Sequence, residues 1–148
     1  MIDYFQKKNK IREIEENLVD KIVKKKAKKN IEFFSLPKKI AGETRNSKIN
    51  RVTEYLKKVK ADYLFITAPE NVAWLLNIRG NDNPNSPIPN CHLIITKERK
   101  IFLFTQRNKI KKILKDNTIK IKQFANLDEI KLYLNKFDKG NFIIDQNS

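Results

Sequence analysis

The chain has 148 residues, of which 40% are hydrophobic and 9% aromatic, and its net charge is +15. This length suits one domain with an appended helix or linker, and the apolar content is typical of a globular protein rather than a disordered one. A single cysteine, Cys91, excludes an internal disulfide. No apolar run is long enough for a transmembrane helix, and no apolar leader is visible, so we expect a cytoplasmic protein with no membrane partner.

The excess of positive charge makes nucleic-acid binding one function to consider. Of the 32 basic residues, 26 are lysine and 6 are arginine, and the lysines are spread over the whole chain. Specific recognition of bases and phosphates relies on the fork geometry of arginine. The charge therefore predicts a solvated surface and argues against nucleic acid. A stand-alone basic α/β module that binds nucleic acid or another polyanion is the alternative function.

The first predicted element is a helix over residues 6–27, because apolar residues recur there at helical spacing. Residues 28–37 lack that spacing and end at Leu36-Pro37, which prevents a helix from continuing. They are predicted to be a linker, with the main domain over residues 38–148.

The main domain is predicted to open with a helix from Ser47, its N-cap, to Lys60. The apolar run 62–67 predicts a buried strand, and Pro69 fits the first turn of a helix that ends near Leu76. Residues 80–90 contain three prolines and a glycine, which excludes helix and central strand and predicts a loop.

Further along the chain, helices and strands alternate. The predicted elements are a β-hairpin of residues 91–96 and 101–105, a helix over 107–115, a strand over 118–124, a helix over 127–137 and a strand over 142–144. Alternation of this kind predicts a layered α/β domain in which helices pack on a mixed sheet.

The residues predict no catalytic group and no metal site. The single histidine, His92, lies in a predicted strand, and no pair of His, Cys or carboxylate residues has the spacing of metal ligands. Nucleotide-binding and nucleophile motifs are missing from the sequence as well. The chain alone is therefore predicted to be inactive.

Residues 67–82 carry the most informative motif, T-A-P-E-N-V-A-W-L-L-N-I-R-G-N-D. It resembles a signature of the three-domain enzymes of the aminopeptidase P family, T-x-x-[DE]-x-[IV]-A-W-L-x-N-[LI]-R-G-x-D, which a proline-containing loop follows. Residues 17–22 resemble the NLVD-x-[IW] segment that closes the first domain of that family. Residues 41–51 resemble the opening of its second domain, and residues 143–145 resemble the strand that ends it.

The resemblance implies a creatinase N-terminal-like fold, which is a mixed six-stranded sheet with helices on both faces, preceded by a helix and a linker. It implies that residues 1–27 are the end of a preceding first domain. The implied function is that of a non-catalytic domain of an Xaa-Pro aminopeptidase, which supports domain packing, oligomerisation and access to a catalytic domain that would follow Ser148. That catalytic domain and further copies of the enzyme in a homo-oligomer, such as a dimer, are the implied partners.

The resemblance implies no cofactor in this chain and two divalent metal ions, manganese or zinc, in the complete enzyme. Within the motif, Trp74 and Leu75 are interpreted as core or interface residues. Arg79 can hold a carboxylate, with Asp82 as the nearest candidate, and Gly80 would permit a tight turn. Two interpretations of this loop stay open: it is a structural loop, or it reaches the catalytic domain or a second subunit.

Overall fold

The computed structural model describes residues 32–137 and 139–144. The predicted helix over 6–27, together with the segment that resembles the end of a first domain, lies outside these residues. Three 3₁₀ turns, at Arg107–Lys109, Ile121–Gln123 and Leu127–Glu129, join longer elements. The strands are β1 Phe34–Ser35, β2 Tyr63–Ile66, β3 Ile78–Arg79, β4 His92–Thr96, β5 Ile101–Phe104, β6 Phe124–Ala125 and β7 Phe142–Ile144. The α-helices are α1 Lys38–Ala41, α2 Arg45–Lys58, α3 Pro69–Leu76, α4 Lys111–Lys115 and α5 Ile130–Lys136.

A mixed sheet of five strands, in the order β6-β5-β4-β2-β7, forms the centre of the domain. Strand β4 is antiparallel to both β2 and β5, whereas β7 runs parallel to β2 and β6 runs parallel to β5. Strands β1 and β3 form a separate antiparallel pair. The predicted mixed α/β architecture is confirmed, with five strands in the described part of the sheet rather than six.

Helices cover both faces of this sheet. Alternate side chains of each strand point to opposite faces and so pack against different helices. On one face, aliphatic residues of β4 and β5 such as Leu93 and Leu103 pack with residues of α2, α3 and α4. On the other face, Ile94 and Phe104 pack with an aromatic cluster that includes Tyr133 and Phe137 at α5. The sheet is therefore buried on both sides, which explains the continuous apolar runs of its central strands.

The predicted strand over 118–124 is wrong. Its apolar residues alternate in sequence, but Ile119 is buried while Ile121 is 58% exposed, so they do not share a face. A 3₁₀ turn at Ile121–Gln123 occupies three of these seven residues, and only Phe124–Ala125 pairs with the sheet.

The segment before residue 38 differs from the predicted linker. Phe33 is fully buried, and its N–H donates to the Lys109 carbonyl at 2.8 Å. Phe34 and Ser35 pair with Arg79 and Ile78. Residues 33–35 are therefore part of the packed domain, because Phe33 supplies apolar volume to its core. Where the domains divide remains a prediction.

Helix α2 begins two residues earlier than predicted, and Thr44 is its N-cap. The Thr44 Oγ1 accepts a hydrogen bond from the Ser47 N–H at 3.2 Å. Ser47, the predicted cap, instead donates its hydroxyl to Glu43 Oε1 at 2.6 Å. Helix α3 has its predicted bounds, with Pro69 in the first turn. Within residues 32–137 and 139–144, no helix is both long and apolar enough to cross a membrane.

Candidate functional site: the end of helix α3 and its loop

The C-terminal end of α3 is closed by a buried polar cluster. Asn77 adopts the left-handed conformation, with φ 53° and ψ 42°, which ends the helix. Its side-chain Oδ1 accepts from Lys48 Nζ at 2.7 Å, and its Nδ2 donates to the Glu43 carbonyl at 2.8 Å. Lys48 is only 2% exposed, and its ammonium also donates to the Trp74 carbonyl at 2.8 Å. The cluster thus ties α2 to the end of α3.

Arg79 completes this arrangement from the other side. Its guanidinium Nη1 donates to the Ala73 carbonyl at 3.2 Å and to the Ile78 carbonyl at 2.8 Å. Lys48 and Arg79 therefore bring two positive charges to the last carbonyls of α3, where the helix dipole favours cations. Sequence reasoning missed the role of Lys48, although the motif that contains it was recognised.

Burial and neighbouring groups shift the pKa values of two residues around the cluster. Burial lowers the pKa of Lys48, and the nearby carboxylate of Glu43 opposes that effect. The pKa of Glu43 is itself lowered, first by the hydrogen bond from Ser47 and then by the charge of Arg51, which lies 3.0 Å away. The Glu43 carboxylate therefore joins Ser47 and Arg51, while its backbone carbonyl accepts from Asn77.

Trp74 and Leu75 are neighbours on α3 with opposite environments. Leu75 is 1% exposed and belongs to the core, whereas Trp74 is 48% exposed. The core interpretation of Trp74 is thus wrong, and its interpretation as an interface residue stays a prediction. Lys48 Nζ lies 4.4 Å from the centre of the indole ring and the Arg51 guanidinium lies 5.6 Å from it, so two cations contact this ring.

Asp82 does not pair with Arg79, and the predicted bond between them is wrong. The Asp82 carboxylate instead forms an ion pair with Lys109 and accepts a hydrogen bond from the Asn90 N–H at 2.7 Å. Both carboxylate oxygens are used, one for each partner. Asp82 therefore fastens the end of the loop to its beginning and to the 3₁₀ turn at Arg107–Lys109.

Gly80 is needed for close packing rather than for a tight turn. Its φ is not in the left-handed region, which Gly42 occupies at 76°. A Cβ added at Gly80 would lie 2.8 Å from the Pro89 Cα and 2.9 Å from a ring carbon of Phe33. The two ends of the loop and the buried Phe33 thus meet at this glycine, and a side chain there would push them apart.

The loop also borders an open cavity of about 390 Å³ beside the start of α3. Pro69, Glu70, Asn83 and Pro84 are among the residues that line it, and the last three are exposed. His92 lies apart from this cavity, with its Nδ1 2.8 Å from the Thr67 carbonyl. Among the residues that the structure describes, no three His, Cys, Asp or Glu side chains are grouped as metal ligands would be.

Comparison with known proteins places the chain in a family. The family model described as Creatinase/Prolidase N-terminal domain matches residues 24–148. An Xaa-Pro aminopeptidase 1 of Dictyostelium discoideum is 33% identical over 103 residues, which are 64% of this chain and 16% of that protein. A probable Xaa-Pro aminopeptidase P of Fusarium vanettenii is 28% identical over 134 residues, which are 86% of this chain and 22% of that protein.

A solved structure supports the same relationship. The X-prolyl aminopeptidase of Caenorhabditis elegans, described as a cytosolic enzyme with a di-nuclear active site, superposes with a TM-score of 0.65 at 25% identity. The match covers 74% of this chain and 18% of that one. The chain thus spans between 16% and 22% of the length of these relatives. It belongs to the Creatinase/Prolidase N-terminal domain family and is related to Xaa-Pro aminopeptidases.

Proposed function

We propose that this chain acts as a non-catalytic domain of an Xaa-Pro aminopeptidase, where it presents the loop of residues 79–90 to the catalytic domain or to a second subunit. The observation that carries the proposal is the construction of this loop. Its base is fixed by Arg79, Gly80 and Asp82, whereas Asn83, Pro84 and Asn85 near its tip are exposed. Because the base of the loop is already fixed, little further conformational entropy is lost when its tip binds another surface.

The same proposal covers the partners, the metals and the location of the complete enzyme. Two divalent ions, manganese or zinc, would bind in the catalytic domain and activate a water molecule for peptide hydrolysis. The described residues of this chain offer no cluster that fits those ions, so we place no step of the reaction here. A cytoplasmic, homo-oligomeric enzyme is part of the proposal, and the di-nuclear, cytosolic relative supports the metals and the location.

The test compares the 148-residue chain with the complete enzyme that contains it. Asn83 and Asn85 are replaced together by aspartate, which changes the tip without touching the base. We expect the melting temperature of the chain to stay within about 2 °C, because exposed substitutions change stability by about 0.5 kcal/mol or less. In the complete enzyme we expect lower kcat/KM for an Xaa-Pro peptide or a weaker oligomer.

A matched control carries the same charge change elsewhere on the surface, at Asn108 and Asn135, which are both exposed. The control should leave the oligomer mass, the melting temperature and kcat/KM unchanged. Full activity and full assembly of the tip variant would contradict the proposed role of the loop. Peptidase activity of the pure 148-residue chain that a chelator abolishes would contradict its non-catalytic role.

A further inference from the structure

A second, polar cavity of about 270 Å³ lies away from the loop tip, between the start of α2, the end of α3 and the turn after α4. Two cationic residues, Lys38 and Arg45, line it together with Asn46 and Asn117. Asp116 is the single acidic residue among the lining residues of this cavity. The described wall of the cavity thus carries more positive than negative charge and several hydrogen-bond donors.

Arg45 distinguishes this cavity from the rest of the surface. Its side chain is half-buried, and burial lowers its pKa. The other basic residues of the described chain that are not exposed all have acceptors: Lys48 donates to Asn77, Arg79 donates to Ala73, Lys97 pairs with Asp62, and Lys109 pairs with Asp82. Within residues 32–137 and 139–144, the guanidinium of Arg45 has neither a hydrogen-bond acceptor nor an ion-pair partner. A partly desolvated guanidinium with five donors and no acceptor is unfavourable unless something binds to it.

The one carboxylate nearby does not neutralise these cations. Asp116 lines the same cavity, but no ion pair joins it to Arg45 or to Lys38 in the described structure. Asn46 and Asn117 likewise have no side-chain hydrogen bond to another described residue, so their amide groups are available to a ligand. An oxyanion of tetrahedral shape would satisfy the guanidinium with two parallel hydrogen bonds and could accept from an ammonium and an amide as well.

We propose that this cavity binds a phosphate group, either as free inorganic phosphate or as the monoester of a small molecule. Arg45 would hold two of the phosphate oxygens, while Lys38 and the amide of Asn46 or Asn117 would bind the remaining ones. The cavity volume of about 270 Å³ leaves room for a small organic group beside the phosphate. This inference is independent of the peptidase assignment, because the cavity and the loop tip involve different residues.

The test is a titration of the 148-residue chain with sodium phosphate, followed by nitrogen-15 NMR, with sodium chloride at equal ionic strength as the reference. We expect saturable shifts confined to residues 35–38, 44–46, 76–77 and 116–118. Arg45→Gln should weaken phosphate binding at least about tenfold, since a charge-assisted bidentate contact is lost. A parallel titration with glycerol 3-phosphate separates the two sources: tighter binding than phosphate identifies a phosphomonoester, and weaker binding identifies the free anion.

The matched control is Arg107→Gln, which removes the same charge from an exposed arginine outside the cavity. It should leave the affinity within about twofold, since a charge on the exposed surface is screened by salt. Lys38→Gln, at an exposed position, gives a second variant if the Arg45 change alters the fold, and it should weaken binding severalfold. Shifts that do not saturate, or equal losses of affinity in the Arg45 and Arg107 variants, would overturn the proposal.

Discussion

Trp74 and the cluster of Lys48 and Asn77 belong to the same end of α3 but have opposite environments. Lys48 and Asn77 are polar residues that are almost completely buried, and Trp74 is the largest side-chain type yet is half exposed. Polarity alone would place Lys48 and Asn77 at the surface and Trp74 in the core. The difference teaches that the motif has two parts: its polar residues close the helix inside the domain, and its aromatic residue faces outward beside two cations.

The largest expected effect on the free energy of unfolding is the difference between substitutions at Leu75 and at Trp74. Leu75→Ala should lower the free energy of unfolding by about 2–5 kcal/mol, because it leaves a cavity in the core. Trp74→Ala should cost about 1 kcal/mol, since an exposed ring loses mainly its contacts with Lys48 and Arg51. Urea unfolding of both variants measures the difference. A Trp74 variant as unstable as the Leu75 variant would show that the indole is buried in solution.

The next effect concerns the buried ammonium. Lys48→Met keeps the length of the side chain but leaves Asn77 Oδ1 without its donor, and the Trp74 carbonyl keeps only the Asn77 N–H at 3.4 Å. Buried acceptors left unsatisfied cost about 1–3 kcal/mol, so the unfolding free energy should fall by that amount. Lys57→Met, at an exposed position of the same helix, is the control and should change stability by about 0.5 kcal/mol or less. Equal stability of the two variants would mean that the hydrogen bonds of Lys48 contribute nothing to the free energy of unfolding.

Gly80→Ala tests how tightly the base of the loop is packed. The new methyl group would overlap the Pro89 backbone and the Phe33 ring, which should destabilise the domain by about 1–3 kcal/mol. Gly42→Ala is the contrasting control: apart from its chain neighbours, no residue would have an atom within 4 Å of the added Cβ, but the φ of 76° is strained for alanine. That strain should cost about 1 kcal/mol. A loop that tolerates Gly80→Ala without loss of melting temperature would be less rigid than the structure indicates.

The smallest effect lies at the exposed rim of the cluster, at Glu43. Its pKa is lower in the folded chain, first because of the Ser47 hydrogen bond, so this contribution to stability is present above the ordinary value of 4.5. It is lost as the pH falls through the folded pKa. Glu43→Gln should therefore reduce the loss of melting temperature below pH 4.5, and Glu54→Gln on the exposed side of α2 should not. Identical acid profiles of the two variants and the unmodified chain would exclude this contribution.

The sequence by itself determined much of the local structure and the family. Pro69 marked the start of α3, the apolar runs of β4 and β5 marked the hairpin, and the motif over residues 67–82 indicated the family. Such features depend on residues close together in the chain, where backbone preferences and side-chain spacing decide the outcome. The predicted strand over 118–124 failed because alternation shows periodicity but not which sheet, if any, is available to pair.

Only the tertiary structure decided the partners of the polar residues. Asp82 pairs with Lys109, 27 residues away, and Lys48 reaches Asn77 across 29 residues. Nothing in the local sequence distinguishes Lys109 from the other lysines, so the nearby Arg79 was the wrong choice for Asp82. The exposure of Trp74 and the close approach of Phe33 to Gly80 also depend on how α2, α3 and β1 pack. Long-range packing selects one partner from many chemically equal candidates, and spacing along the chain carries no record of that selection.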